Sequence, residues 1–537
     1  MSRRSAVDPE VLRRSIASWS GAQVTTRETH ISWVFLTPER AFKLKKPLAL
    51  PYLDYRLPSR RRQMCREEVR LNHRLAPDIY LGVRSVLPTE DGVALGDDDD
   101  PGAIDYVVEM RPYDEECTLA AKLLCGELQE HDVRAVGQRV AVFHANCAAR
   151  YATQPAAFSV EQEFGRNVQE LLEVVDEWDD RLRVRTLARF TSVAAMSRSR
   201  QLQSRAQLGL VRDGHGDLRA EHVVLDGEVN IVDCVEFDPA FRTLDVADDL
   251  AFLAMDLTAL GGAGFIRPLL EAYRLAGGDC GDDGLVALFA VHRALIRMKV
   301  LLERGRQRPS DQASEDRAQA RRLLAVAERL AWQARLPLTI VVCGVPASGK
   351  SHVAAALSAA SGLPTVSSDV VRKRLAGLEP QTRAAPEHYS ADFNHRTYSE
   401  LGRRAAAALK SHSGVVVDAT FRHRGDRGAF EAGFASGSPR TFVQCLAPAD
   451  VLRQRATARD QEPSRISDAT LHVVERERIV WQPLDEIPAT DHILVRTDRP
   501  LAAILSEVAV LLDERLVQAC GSDDVRSCQG SSACISH

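Results

Sequence analysis

Eight consecutive residues, Gly344-Val345-Pro346-Ala347-Ser348-Gly349-Lys350-Ser351, constrain this chain more than any other stretch. They follow the apolar run Leu338–Cys343 and open the helical run His352–Ala360. This is the GxxxxGKS pattern in the setting it requires, with a strand before it and a helix after. Glycines there let backbone N–H groups converge on phosphate oxygens without Cβ obstruction. The start of the helix adds a favourable dipole. Lys350 is positioned to reach the β- and γ-phosphates of ATP, and the Ser351 hydroxyl to hold Mg²⁺.

Three further features lie downstream. Asp369, in Val366-Ser-Ser-Asp369, falls at a strand-to-helix junction, where it could equally cap the helix. Asp418 ends the apolar strand Val415-Val-Val-Asp418, as a metal-holding carboxylate does, or as the cap of a turn does. Arg453, Arg455 and Arg459 share a predicted helix, as a lid over ATP or as a solvated face, and the last two are four apart. Together these residues resemble P-loop kinases of the AAA type, the group of gluconate kinase, the kinase domain of polynucleotide kinase and the zeta toxins. The resemblance covers about 170 residues, the span expected of one domain. It implies that Asp369 faces the acceptor hydroxyl, that Arg372 helps hold the acceptor, and that Arg455 or Arg459 is a lid arginine.

A second constellation lies upstream. His215-Gly-Asp217-Leu sits in a polar loop, and sixteen residues later Asp233 closes the apolar run Val229-Asn-Ile-Val. Phosphoryl transfer uses such a pair, one carboxylate orienting the acceptor hydroxyl and the other holding metal. The residues resemble the HGDL…ID motif of aminoglycoside phosphotransferase-like kinases, a branch of the protein-kinase-like fold, in the subgroup fused to a P-loop kinase. The resemblance implies that Asp217 is the catalytic base and Asp233 a metal ligand. It further implies an ATP lysine on Ala41-Phe-Lys43-Leu-Lys45, with Lys43 the better fit and Lys45 its rival. Glu68 would be the ion-pair partner on a helix, and Val107 to Arg111 the adenine hinge. One position departs: His222 stands where the family has a metal-binding asparagine. A hard Mg²⁺ prefers oxygen, so either His222 serves a metal differently, with Glu221 or Glu236 supplying the oxygen, or transfer is weak.

The 537 residues exceed what one core can organise. The expected fold class is α/β multidomain. Residues 1–110 and 111–302 would be the α+β and helical lobes of a bilobal protein-kinase-like domain. A charged helical linker follows at 303–335, then a P-loop domain with a parallel sheet at 336–515 and a flexible tail at 516–537. A net charge of −5 argues against nucleic acid as partner. No stretch of about 20 residues lacks charge, which argues against a membrane span. The N-terminus lacks a secretory pattern, and the scattered cysteines suit a reducing cytoplasm. Asp245 reads as a helix cap, and the tail cysteines Cys520, Cys528 and Cys534 match no zinc spacing.

The expectation is therefore a cytoplasmic protein that binds ATP and Mg²⁺ and phosphorylates a small hydroxylated metabolite, of unspecified oligomeric state. Its rivals are an ATP-binding regulatory protein with an N-terminal pseudokinase, and a nucleic-acid end kinase. The second would bind oligonucleotides in a salt-sensitive way.

Overall fold

The computed structural model describes residues 7–50, 53–149, 160–379, 381–435, 438, 440–459 and 479–530, the side chains of 459 and 516–530 excepted. Two compact units emerge. One comprises residues 1–158 and 200–294, the other 159–199 and 295–537.

The first unit begins with the helix Pro9–Ser20, capped by the Asp8 carboxylate. It packs on one face of a six-stranded antiparallel sheet. The strand order is Thr25–Glu28, Ser32–Leu36, Ala41–Lys45, Asp105–Met110, Tyr80–Thr89 and Gly92–Asp97. Side chains alternate across a strand. Phe42 and Leu44 therefore enter the cluster built on Leu12 and Ile16 of that helix. Ala41 faces the other way, beside Cys65 of the helix Pro58–Asn72. Lys43 and Lys45 fall on that same side by the same alternation.

The rest of this unit is helical around two short strand pairs, Val211–Asp213 with Thr243–Asp245 and Val223–Asp226 with Glu228–Ile231. Asp245 caps the helix Val246–Ala259, accepting from Ala247 N at 2.8 Å, and is bracketed by Arg205 at 2.8 and 2.9 Å. That helix is buried almost all round, so its acidic residues are paired inside the protein. Asp248, for example, meets Arg293 at 2.6 and 2.7 Å.

In the second unit five parallel strands run in the order Thr365–Ser367, Gly414–Asp418, Leu338–Cys343, Thr441–Leu446 and His492–Arg496. Leu338–Cys343 is buried throughout, as a central parallel strand covered on both faces must be. Ile340 and Val342 enter one core with Val353 and Leu357, whereas Val341 and Cys343 enter another with Leu401 and Phe430. The molecule is thus α/β multidomain, with an antiparallel α+β lobe in one unit and an all-parallel sheet in the other.

Three stretches bear on the domain boundaries read from the sequence. The helices Val160–Val174 and Trp178–Ser197, within the stretch read as a helical lobe, group with the second unit. There Trp178–Ser197 packs on Ser310–Gln333 and Leu501–Gly530. Arg183 pairs with Glu328 at 2.7 Å, and the Arg335 guanidinium stacks 4.5 Å over Phe190. The stretch read as a charged helical linker contains the helix Ser310–Gln333, whose Leu323, Leu324 and Leu330 are buried. Its arginines lie on the outer face, which is why the segment looks solvated when read linearly. At the C-terminus the helix Leu501–Gly530 runs through most of the stretch expected to be unstructured. The side chains of Cys520 and Cys528, and residues 531–537, lie outside the described set.

Candidate functional site

In the first unit Lys43 Nζ lies 2.7 Å from both Glu68 Oε1 and Asp233 Oδ1. Burial opposes the lysine's charge, but Asp233 and Glu68 outweigh it and hold the ammonium well above its ordinary range. Lys45 is fully buried and meets Glu68 Oε2 at 2.7 Å and Glu236 Oε1 at 2.5 Å. Tyr55 donates its hydroxyl to the same Glu236 oxygen at 2.9 Å. Of the two candidate lysines, only Lys43 reaches Asp233 among the ion pairs of the described residues. The enclosing protein also opposes the Asp233 charge, and Lys43 and then His222 overcome it and keep the carboxyl well below its usual range.

Asp233 adopts φ 60°, a left-handed conformation uncommon outside glycine. It is fixed there because its N–H donates to the Tyr80 hydroxyl at 3.1 Å and the next N–H, of Cys234, donates to Asn72 Oδ1 at 3.0 Å. The Asp217 loop is held from below. Asp249 accepts from His215 N at 2.7 Å and Gly216 N at 3.0 Å, and His144 Nε2 lies 3.1 Å from it. Asp256 accepts from Ala220 N at 2.9 Å. The helix Val246–Ala259 thus supplies two carboxylates that shape residues 215–220.

Asp217 Oδ1 lies 3.1 Å from Arg219 Nε. His222 has both ring nitrogens engaged, Nδ1 2.8 Å from Asp217 O and Nε2 2.9 Å from an Arg219 terminal nitrogen. It buttresses the Asp217 loop instead of presenting a nitrogen to a metal. Among the described residues no group of three or more His, Cys, Asp or Glu is arranged to hold a metal. Mg²⁺ commonly takes one or two carboxylates and completes its shell with phosphate oxygens and water. Asp233, with a side chain 41 % exposed, fits that requirement.

In the second unit the phosphate loop leaves the central strand with Gly344 at φ 142°, Ala347 at 66° and Gly349 at 87°. A Cβ on Gly344 would stand 2.7 Å from Cys445 O, so only glycine fits. Lys350 and Ser351 begin the helix Lys350–Ser361. Asp418 pairs in register with Val342 on one side and Ser367 on the other. The sheet thereby brings the Gly344–Ser351 loop, Asp418 and Asp369 to its carboxyl edge, where parallel α/β sheets bind ligands. Asp418 Oδ1 is buried without a hydrogen-bond partner. A buried lone carboxylate oxygen facing a phosphate loop fits a cation or its water, and Ser351 is exposed at the same edge.

Arg455 donates to Thr497 O at 2.6 Å and to Thr497 Oγ1 at 3.1 Å. Thr497 in turn donates to Ser348 O at 2.5 Å, so the two residues clamp the loop from the strand His492–Arg496. The side chain of Arg459 lies outside the described set. Asp369 sits in the first turn of the helix Ser368–Leu375. Arg372 is buried, donating to His388 O at 2.6 Å and Asn394 Oδ1 at 2.7 Å, and stacks 4.5 Å from the Tyr389 ring centroid. It fastens the 386–394 segment to that helix. Asp426 went unnoticed in the sequence reading. Burial raises its carboxyl above the ordinary range, against the pull of His423, Arg422 and Arg372. Its only sequence signal is a place in the first turn of Arg424–Glu431.

Residues 339–484 match the AAA domain family model, so the second unit carries a P-loop AAA-type domain. Over 460 residues the chain is 31 % identical to the uncharacterized protein Rv2004c of Mycobacterium tuberculosis (strain ATCC 25618 / H37Rv), a match spanning 84 % of this chain and 88 % of that protein. The chain belongs to the family of Rv2004c. Among solved structures it is similar to a gluconokinase from Sinorhizobium meliloti 1021, with 23 % identity, TM-score 0.26, and coverage of 36 % of this chain and 99 % of the other. It is also similar to a choline/ethanolamine kinase family protein from Mesorhizobium loti, with 15 % identity, TM-score 0.35, and coverage of 59 % and 98 %.

Proposed function

We propose that this protein is an ATP-dependent phosphotransferase that moves the γ-phosphoryl group to the hydroxyl of a small metabolite. The observation that carries the reading is the unpartnered buried oxygen of Asp418 at the edge where the Gly344–Ser351 loop opens. In this reading the loop N–H groups and Lys350 hold the phosphates. Asp418 and Ser351 hold Mg²⁺, which when bound supplies charge neutralisation on the phosphate oxygens. Asp369 accepts the proton of the acceptor hydroxyl, and Arg455 keeps the loop in shape through Thr497. In the first unit Lys43, oriented by Glu68, holds the phosphates of a second ATP, Asp233 holds its metal, and Asp217 orients an acceptor hydroxyl. Eight free cysteines among the described residues suit the cytoplasm.

A second reading has its own support. Arg219 neutralises Asp217, and His222 is engaged on both nitrogens, as befits a nucleotide-binding unit that does not transfer phosphate. The two readings separate on the full-length protein with Mg²⁺·ATP and a panel of hydroxylated metabolites. Loss of separate parts of the transfer in Lys350→Ala and Asp217→Asn supports two working sites. Loss in Lys350→Ala alone leaves the first unit as a binding module, and wild-type activity in both variants defeats the proposal.

A further inference from the structure

A cleft of about 930 Å³ runs along the outer side of the helix Pro58–Asn72. Its lining includes none of Lys43, Asp217 or Asp233. Met64, Tyr106 and Phe237 give it an apolar surface, and Arg60, Arg62, Arg66 and Arg70 line it from the helix. Three of these arginines are four residues apart in sequence, so one helix face presents them as a row.

The row is under-neutralised. Arg62 and Arg66 share the two oxygens of Asp98, at 2.9 and 2.5 Å. Arg70 takes Glu67 at 2.7 Å through both nitrogens, and Arg242 draws on that same carboxylate at 3.1 Å. Arg60 donates to the neutral Gln63 at 2.6 Å. Glu236 also lines the cleft, but its charge is taken by Lys45. Asp54 acts on Arg60 and Asp99 on Arg62 from further away, so the four guanidinium groups have two directly paired carboxylates, Asp98 and Glu67, at this wall. A concave site of this size with an apolar surface and a few convergent charges is the usual form of a small-molecule site.

We infer that this cleft binds a small organic dianion, a phosphomonoester or dicarboxylate carrying an aromatic or branched apolar body. The charged end meets the Arg60–Arg66 end of the row, where guanidinium geometry suits carboxylate and phosphate oxygens. The apolar body lies against Met64, Tyr106 and Phe237. The site is separate from the two phosphoryl-transfer sites and does not depend on either being active.

The test uses the full-length protein and the dianionic aromatic fluorophore bis-anilinonaphthalene sulfonate, titrated without nucleotide. The expected result is saturable binding that weakens with added KCl and falls at least tenfold in Arg62→Glu/Arg66→Glu, with an unchanged far-ultraviolet circular dichroism spectrum. Should the double variant fail to fold, Arg60→Glu, at an exposed position, is expected to weaken binding severalfold and serves in its place. Lys350→Ala and Asp233→Asn should bind the probe as wild type does. Displacement by phenyl phosphate or by phenylsuccinate supports the site and tells the two head-groups apart. Displacement by neither, wild-type affinity in the arginine variants, or loss of binding in Lys350→Ala overturns it.

Discussion

Lys43 and Lys45 hold one carboxylate between them, Glu68 giving Oε1 to the first and Oε2 to the second, each at 2.7 Å. Burial opposes the carboxylate's charge, and the two ammonium groups more than compensate, keeping Glu68 ionised. Removing the acid takes one carboxylate from each buried ammonium, leaving Lys43 with Asp233 and Lys45 with Glu236. Glu68→Gln is therefore expected to cost about 3 kcal/mol, the lower end for breaking a buried pair, read as a shift of the urea midpoint. Lys43→Met should cost less, since Lys45 still pairs with Glu68, and a larger loss for Lys43→Met would refute this ordering.

The phosphate loop gives a second expectation. Lys350→Ala should leave the fold intact, because Lys350 is partly exposed at the start of a helix. The ATP-induced stabilisation of the second unit, roughly 2.7 kcal/mol at one hundred times Kd, should vanish. Gly344→Ala should remove it too, by driving a methyl into Cys445 O. Hydrogen exchange across 338–361 with and without Mg²⁺·ATP measures both.

Asp249 carries the third. Asp249→Ala leaves the amides of His215 and Gly216 without their acceptor, at about 1–3 kcal/mol each. Exchange in 211–220 should rise well beyond that in the six-stranded sheet. Asp249→Asn keeps one acceptor oxygen and should fall between Ala and wild type. Equal protection in all three proteins would mean the loop is held by something else.

How much of this was legible in the sequence follows from locality. The Gly344–Ser351 loop announces itself because eight adjacent residues carry its chemistry. The Lys43, Glu68 and Asp233 trio could be expected only through a resemblance, since it joins residues up to 190 apart in sequence. Asp249 was not assigned, and Glu236 was offered as a metal oxygen but is held by Lys45 and Tyr55, because an acid on an apolar helix or after a strand looks the same whether it caps, pairs or positions a loop. Arg372 shows the reverse case: expected to touch an acceptor, it is engaged by His388 O and Asn394. Sequence identifies a guanidinium but not the acceptors that surround it.

The fourth expectation concerns pH. Burial pushes His215 down to about 4, while Asp249 pulls the other way. In the unfolded chain an imidazole titrates near 6.5. Between those values the unfolded state binds more protons, so stability is fullest above about 6.5 and falls with acidification until about pH 4. The loss reaches roughly 3 kcal/mol at the acid end. Urea titrations at pH 7.5, 6 and 5 should show a steeper decline for wild type than for His215→Gln, and parallel curves would contradict it.

The polypeptide passes between the two units three times, at 158/159, 199/200 and 294/295, the last within the helix Asp283–Arg306. No single cleavage point therefore yields two whole halves. A fragment ending at 294 keeps the complete first unit but carries away helices that belong to the second, and the remainder lacks them. Neither unit alone can be made from this chain by simple truncation. An exchange of the second unit between chains would have to carry the 159–199 segment together with residues 295–537.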